Sequence, residues 1–323
     1  MQNIEEISLE EIRAAQKRLA GIVVRTPLLR LNVEDAPAEI YLKVESLQPV
    51  GSFKIRGAGN ALLAADPQQL RGGVWTASAG NMAQGLAWHA RRMGLPCTIV
   101  LPEHAMETKV AALRRMGCHI LHIPYDTWWQ IYLTHRYPGL DGLFVHAFAG
   151  LPVIAGNGTI GLEILEDLPD VDSVVLPYGG GGLSCGVAAA LRALKPSVRV
   201  YGSEVETAAP LAAALAEGGP CRIERIPSFV DGIGAVQVTP EMWPLASQLL
   251  RGSLVVSLSE VASAIRLLVE RNCLVAEGAA GTSVAAALAG KAGGGKVVCV
   301  LSGGNLDAAK LADILRGQIP APA

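Results

Sequence analysis

Short β-branched runs alternate with helix-patterned segments along most of this chain, and three of those runs break off into glycine-rich loops. GVWTA, CTIVLP, CHILHI, DSVVLPY, VRVYGSE and KVVCVL read as strands. Between them, Asn81 to Met93 (ended by Gly94), Met106 to Met116 (ended by Gly117) and Leu183 to Leu194 read as helices. Strands separated by helices of about 10–15 residues imply parallel sheets with helical crossovers. The expected fold class is therefore α/β, with ligands held beyond the carboxyl ends of the strands. Ahead of this region Ser8 and Glu11 form an S-x-x-E capping box, with Ile7 and Ile12 as its hydrophobic staple and Gly21 as the stop. Further helices are expected from about Ser259, after Gly278 and from Asp307.

At 323 residues and 33.7 kDa, one large domain or two linked ones are expected. The stretches Pro138–Gly142 and Gly150–Gly156, the latter read as a loop, are the candidate boundaries. Half the residues are apolar and 17% are charged, which excludes a disordered or fibrous chain. The net charge is −2 and no long basic run occurs, which argues against nucleic acid or a polybasic membrane surface as partner. No stretch approaches the roughly 20 apolar residues of a membrane span. The acidic start MQNIEEISLEE lacks the basic and apolar regions of a signal peptide, so a cytoplasmic location is expected. The six cysteines are scattered with no C-x-x-C pair, and read as small buried hydrophobes.

The glycine loops carry the first chemical signal. Ser78-Ala79-Gly80-Asn81 follows VWTA, Gly179-Gly180-Gly181-Gly182 follows VVLPY, and Ser302-Gly303-Gly304-Asn305 follows VVCVL. Each is expected to open a helix, whose free N–H groups favour an anion. Four consecutive glycines let the backbone wrap a phosphate, whereas an ordinary strand–helix turn rarely needs four. No Gly-Lys-Ser/Thr follows them, which disfavours a nucleoside triphosphate. Gly156-Asn157-Gly158-Thr159-Ile160-Gly161 matches the dinucleotide fingerprint, but no full strand precedes it and Asp172 is a poor ribose partner, so NAD is discounted.

In Ser52-Phe53-Lys54-Ile55-Arg56-Gly57 one lysine lies between two large apolar side chains. The ordinary reading is a solvated charge. The sharper one is a buried amine of lowered pKa, nucleophilic toward aldehydes. An aldehyde cofactor with a phosphate tail, such as pyridoxal 5'-phosphate, would join this lysine to the glycine loop.

SFKIRGAGNAL, TASAGNMAQGLA, VIAGNGTIGLEI, LPYGGGGLSCG, VAEGAAG and VLSGGN occur here in the order found in the threonine/serine dehydratases and serine racemase. From about Arg25 to Asp307 the chain resembles these fold-type-II pyridoxal-phosphate enzymes. The resemblance implies a tryptophan synthase β-like, two-domain α/β fold with parallel-rich sheets and the cofactor in the cleft. Residues 1–72 and 149–323 would form the large cofactor-binding domain and residues 73–148 a small mobile one. Lys54 matches the Schiff-base lysine, Phe53 its neighbour beside the ring, and Asn81 the asparagine bonded to the phenolic oxygen. Gly179, Gly180, Gly181 and Gly182 match the phosphate loop, and Ser302 the hydroxyl facing the pyridine nitrogen. Ser78, Ala79, Gly80 and Asn81 match the loop that holds the substrate carboxylate. The implied reaction is α,β-elimination from a 3-hydroxy-L-amino acid (threonine, serine or a bulkier analogue) to a 2-keto acid and ammonia. A homodimer or homotetramer is also implied.

Racemisation is the alternative, but serine racemase has a serine where Ala79 stands, and Ala79 cannot carry a proton; only Ser78 could substitute for it. Three further departures matter. Met82 replaces the usual histidine and reads as helix packing. His146-Ala147-Phe148-Ala149 replaces a His-Pro-Phe-Asp-like stretch. Tyr125, Trp128, Trp129 and Tyr132 read first as packing of an amphipathic helix and alternatively as a roomier pocket for a phenylserine-like substrate. Glu204 and Ala208 match two ligands of the divalent-cation site of some relatives, but Pro210 stands at the aspartate. A cation requirement is left open and no metal ligand is assigned.

Overall fold

A computed structural model describes residues 6–103 and 107–322. The capping box forms as expected: Glu11 N donates to Ser8 Oγ at 3.2 Å, and Ser8 N to Glu11 Oε2 at 3.0 Å. It opens the helix Leu9–Leu19, with Ile7 and Ile12 both buried beneath it. The described strands in chain order are β1 Leu28–Arg30, β2 Glu39–Val44, β3 Val74–Thr76, β4 Cys97–Pro102 and β5 His119–Ile123. They continue with β6 Leu143–Phe144, β7 Ser173–Pro177, β8 Arg199–Val205, β9 Gly252–Val256 and β10 Lys296–Leu301.

These strands form two sheets. The larger has the order β1-β2-β10-β7-β8-β9, parallel except for β1 at one edge. The smaller has the order β5-β4-β3-β6 and is parallel throughout. Helical crossovers cover both faces of a parallel sheet, so its central strands can be apolar along their whole length. Accordingly β7 is buried from end to end, and β10 is buried from Val297 to Leu301.

The crossover helices Asn81–Met93 and Gly182–Leu194 lie where the apolar periodicity put them, the second starting one residue early. Gly94, in the left-handed region at φ +67°, ends the first. The helix expected from Met106 runs Glu107–Arg115, and Met106 itself lies outside the described residues.

Two expectations are corrected. Gly150–Gly156 is no loop: Gly150 caps the helix Leu151–Asp167, and the dinucleotide-like glycines lie inside it. They admit neighbouring helices at close range. A Cβ on Gly156 would stand 2.6 Å from the Arg56 carbonyl oxygen, and one on Gly158 would stand 2.8 Å from that of Gly186. Ser302–Asn305 does not open a helix directly, because the next one begins at Ala308. Instead Gly303 pairs with Ser52, and Gly304 N donates to the Gly51 carbonyl at 2.9 Å. The loop thereby fixes the approach to Lys54. Among the described residues no helix is long and apolar enough to cross a membrane.

Candidate active site

The segments just beyond the carboxyl ends of β3, β7 and β10, together with the start of the helix Lys54–Leu63, line one cavity of about 390 Å³. Every residue singled out from the sequence reaches it: Phe53, Lys54, Ser78, Ala79, Gly80, Asn81, Gly179, Gly180, Gly181, Gly182 and Ser302.

Lys54 is the first residue of its helix, and its Nζ donates to the backbone carbonyl of Ala147. Burial lowers its pKa from 10.5 to about 8, against the opposing pull of the Glu277 carboxylate. The helix behind it is held by Arg56, whose guanidinium is buried between two carboxylates. Arg56 donates to Glu45 Oε2 through Nε at 2.8 Å and to Glu163 Oε1 through Nη1 at 2.6 Å. Lys43 Nζ lies 2.6 Å from the other oxygen of Glu163 and 3.9 Å from Asp167 Oδ2, so the two buried cations share Glu163. Burial alone would raise the pKa of Glu45, but the Arg56 charge and hydrogen bond hold it below the ordinary value.

Opposite Lys54 the four glycines make a cradle that side chains would fill. A Cβ on Gly180 would lie 2.1 Å from the Phe148 ring, and one on Gly182 would lie 2.0 Å from the Phe148 carbonyl oxygen. Gly181 adopts φ +89° and caps the helix Gly182–Leu194. Beneath it the Tyr178 hydroxyl is buried without a hydrogen-bond partner among the described residues, 3.0 Å from where Gly181 would carry a Cβ.

On the third side Gly80 caps the helix Asn81–Met93, and its N–H donates to Ser78 Oγ at 3.3 Å. The Asn81 amide donates to both carboxylate oxygens of Glu277, and its Oδ1 accepts from Asn305 Nδ2 at 2.8 Å. Ser302 is buried, and its backbone carbonyl accepts from Phe53 N at 2.9 Å. Glu277 was not assigned a role from the sequence. Its signal was a lone carboxylate in VAEGAAG, just ahead of a small-residue helix.

The aromatic side chains pack against one another and also line the cavity. Tyr132 stacks on Phe148 at 5.9 Å and 10°, and Trp128 Nε1 donates to the Val100 carbonyl at 3.1 Å. Yet Tyr125, Trp128, Trp129 and Tyr132 all line the cavity as well. Met82 is buried against the Asn81–Met93 helix's own core and touches the same space. Of the cysteines, Cys97, Cys185 and Cys299 are buried, Cys118 and Cys221 are partly so, and Cys273 is exposed.

The Glu204 carboxylate accepts three hydrogen bonds. Its Oε1 accepts from Leu211 N at 2.8 Å and its Oε2 from Ala212 N at 2.8 Å, both in the first turn of the helix Pro210–Glu217. Ser253 Oγ donates to the same carboxylate at 2.5 Å. Burial raises its pKa against these three hydrogen bonds.

Residues 19–303 match the family described as pyridoxal-phosphate dependent enzyme. The chain belongs to this family. It is 41% identical to an L-threonine ammonia-lyase of Thermotoga maritima, over 93% of this chain and 76% of that protein. A solved T.th. threonine deaminase superposes with a TM-score of 0.85 at 32% identity, covering 93% of this chain and 99% of that one. Maize serine racemase superposes with a TM-score of 0.86 at 30% identity, covering 96% of this chain and 97% of that one. The α/β architecture is thus that of the fold-type-II enzymes. The cavity suits the family's cofactor chemically: it offers an amine of lowered pKa, a four-glycine loop at a helix N-terminus and an orphaned hydroxyl beside that loop.

Proposed function

We propose that the chain is a pyridoxal-phosphate-dependent ammonia-lyase that converts a 3-hydroxy-L-amino acid to a 2-keto acid and ammonia. The observation that carries this reading is Lys54, an amine with a pKa near 8 lining the same cavity as Gly179–Gly182. Lys54 would hold the cofactor's aldehyde, and the N–H groups around Gly179–Gly182 would hold its phosphate. Phe53, Ser302 and Asn81 line the same cavity and would hold the cofactor's ring. The loop Ser78–Asn81 takes the substrate carboxylate. When bound, the cofactor supplies a conjugated sink for the electrons left at Cα. The Lys54 amine would take the Cα proton, a task for which a pKa near 8 suits neutral conditions. The 3-hydroxyl, on gaining a proton, would leave as water, and one water consumed in hydrolysis of the resulting imine gives keto acid and ammonia.

The cofactor lies in the cleft between a large domain (1–72 and 149–323) and a small one (73–148), which moves to exclude water. The spans of the two sheets support this division. The wall of Trp128, Trp129 and Tyr132 favours a bulky 3-substituent of the phenylserine kind. The enzyme works in the cytoplasm as a homodimer or homotetramer and needs no cation at Glu204. The racemase reading has Ser78 as its candidate second proton carrier, because Ala79 has none to give.

The test is 2-keto acid and ammonia release from L-serine, L-threonine and L-phenylserine, with chiral analysis of unreacted substrate. Keto acid formation lost in Lys54→Ala is expected. D-enantiomer accumulating with little keto acid would make the racemase the better reading.

A further inference from the structure

The turn His146–Ala149 touches both halves of the cavity. The Ala147 carbonyl accepts from Lys54 Nζ, while the ring and carbonyl of Phe148 occupy the space that Cβ atoms on Gly180 and Gly182 would need. One side chain ties this turn together. His146 Nδ1 accepts from Phe148 N at 3.2 Å and from Ala149 N at 2.8 Å. We propose that His146 is a positioning residue, whose Nδ1 fixes the turn that presents the Ala147 carbonyl to Lys54 and seats Phe148 against the glycine loop. The proposal rests on Lys54 and that loop holding the cofactor.

Accepting two N–H groups requires an unprotonated Nδ1, with the ring proton on Nε2. Burial, with His135 and Lys54 nearby, brings the imidazole pKa down to about 3, so protonation does not break the turn near neutrality. His135 is itself 3.6 Å from Glu241, and the remaining titratable neighbour is Tyr132. The ring is 5% exposed and cannot swing away. Phe148 at 4.4 Å and Tyr132 at 5.2 Å both meet it edge to face. The sequence adds a second reason. Ala147 and Ala149 supply neither a fixed φ nor a side-chain acceptor to hold the turn. The restraint falls on His146.

An acceptor at the δ-position, bonded to N–H groups two and three residues on, is what asparagine provides in an Asx turn. His146→Asn therefore keeps the acceptor and removes the ring, and His146→Ala removes both. Each variant and the parent are reconstituted with pyridoxal 5'-phosphate. Three quantities are then measured: cofactor Kd by absorbance titration, kcat per bound cofactor on the fastest of the three substrates above, and the apoenzyme Tm. His146→Asn is expected within about threefold of the parent in Kd and kcat. His146→Ala is expected to lose roughly 10- to 100-fold in kcat, the scale of an ångström of misplacement, and about tenfold in cofactor affinity, well below its Tm. A folded His146→Asn as defective as His146→Ala overturns the proposal, and so does His146→Ala with parental kcat and Kd. If His146→Ala does not fold, His146→Asn decides alone. Failure of the parent to take up cofactor is seen before any variant is compared, and removes both the underlying reading and this proposal.

Discussion

The side-chain amide nitrogen of Asn81 lies 2.9 and 3.0 Å from the two carboxylate oxygens of Glu277, to which it donates. Asn81 opens a helix packed on the four-stranded sheet, and Glu277 precedes the helix Gly278–Leu288 packed on the six-stranded one. The bond therefore spans the cavity mouth and leaves a carboxylate facing Lys54. It also occupies the amide that the cofactor reading needs, so cofactor binding must compete with Glu277 for Asn81.

Glu277 is the charge that opposes the effect of burial on Lys54. In Glu277→Gln the amine loses that support, and its pKa moves below about 8. The pH dependence of Lys54 acylation in the apoenzyme, followed by mass spectrometry, should show a midpoint below the parent's. A midpoint at or above the parent's would assign the control of Lys54 elsewhere.

Lys54 should also burden the apoenzyme. Its pKa is near 8 when folded against 10.5 unfolded, so below pH 8 both states are protonated and the full penalty of burying the ammonium applies. Between pH 8 and 10.5 the unfolded chain binds more protons, so stability rises with pH and the penalty fades. Lys54→Met should therefore stabilise the apoenzyme at pH 7 by roughly 2–3 kcal/mol, allowing for partial solvent access. The gain should shrink toward pH 10. Urea denaturation at both pH values checks it, and a gain independent of pH would point to packing instead.

The Arg56 cluster gives the opposite case, a buried charge set with no part in the chemistry. Glu163 neutralises Arg56 and Lys43 together. Glu163→Ala removes the carboxylate that both buried cations share and should cost about 3–5 kcal/mol in denaturant unfolding. The conservative Arg56→Lys should not preserve stability, because an ammonium cannot span Glu45 and Glu163 in the guanidinium's fork geometry.

How far the sequence could be read follows from the range of each signal. The Ser8–Glu11 capping box and the Gly94 stop are local, and both stand where the sequence puts them. Ser78–Asn81, Gly179–Gly182 and Ser302 follow the carboxyl ends of parallel strands, where the strand–helix rhythm already places ligands; Lys54, at a helix start, joins them only through the fold. The helix Leu151–Asp167 was not legible. Its proline, glycines and asparagine carry loop propensity, and close contact with the helices of Arg56 and Gly186 overrides it. Glu277 and His146 escaped for another reason: their roles rest on partners far off in sequence or on backbone N–H groups, and neither leaves a pattern.

At Glu204 a helix start does what a cation would do. The first-turn N–H groups of Leu211 and Ala212 and the Ser253 hydroxyl already satisfy the carboxylate, with Pro210 where a further acidic ligand would be needed. Dialysis against EDTA should leave both Tm and kcat/KM unchanged within about twofold, and added Mg²⁺ should not raise them. A loss on chelation that Mg²⁺ restores would place a cation in this seat.

Trp129 offers the cleanest probe of the pocket. Unlike Trp128, which hydrogen-bonds to Val100, it has no assigned hydrogen bond to lose, and its ring lies 5.7 Å from Tyr132 along the cavity wall. Under the proposed substrate preference, truncating it removes apolar surface that a bulky 3-substituent would use. Trp129→Ala should therefore lower kcat/KM for L-phenylserine about tenfold, near the 1–3 kcal/mol set by a hydrophobic pocket contact, and change that for L-threonine less than threefold. An equal loss on both substrates would mean that Trp129 packs the wall without selecting the substrate. A gain on phenylserine would mean that the ring obstructs the larger side chain, and the preferred substrate would then be sought among the smaller 3-hydroxy amino acids.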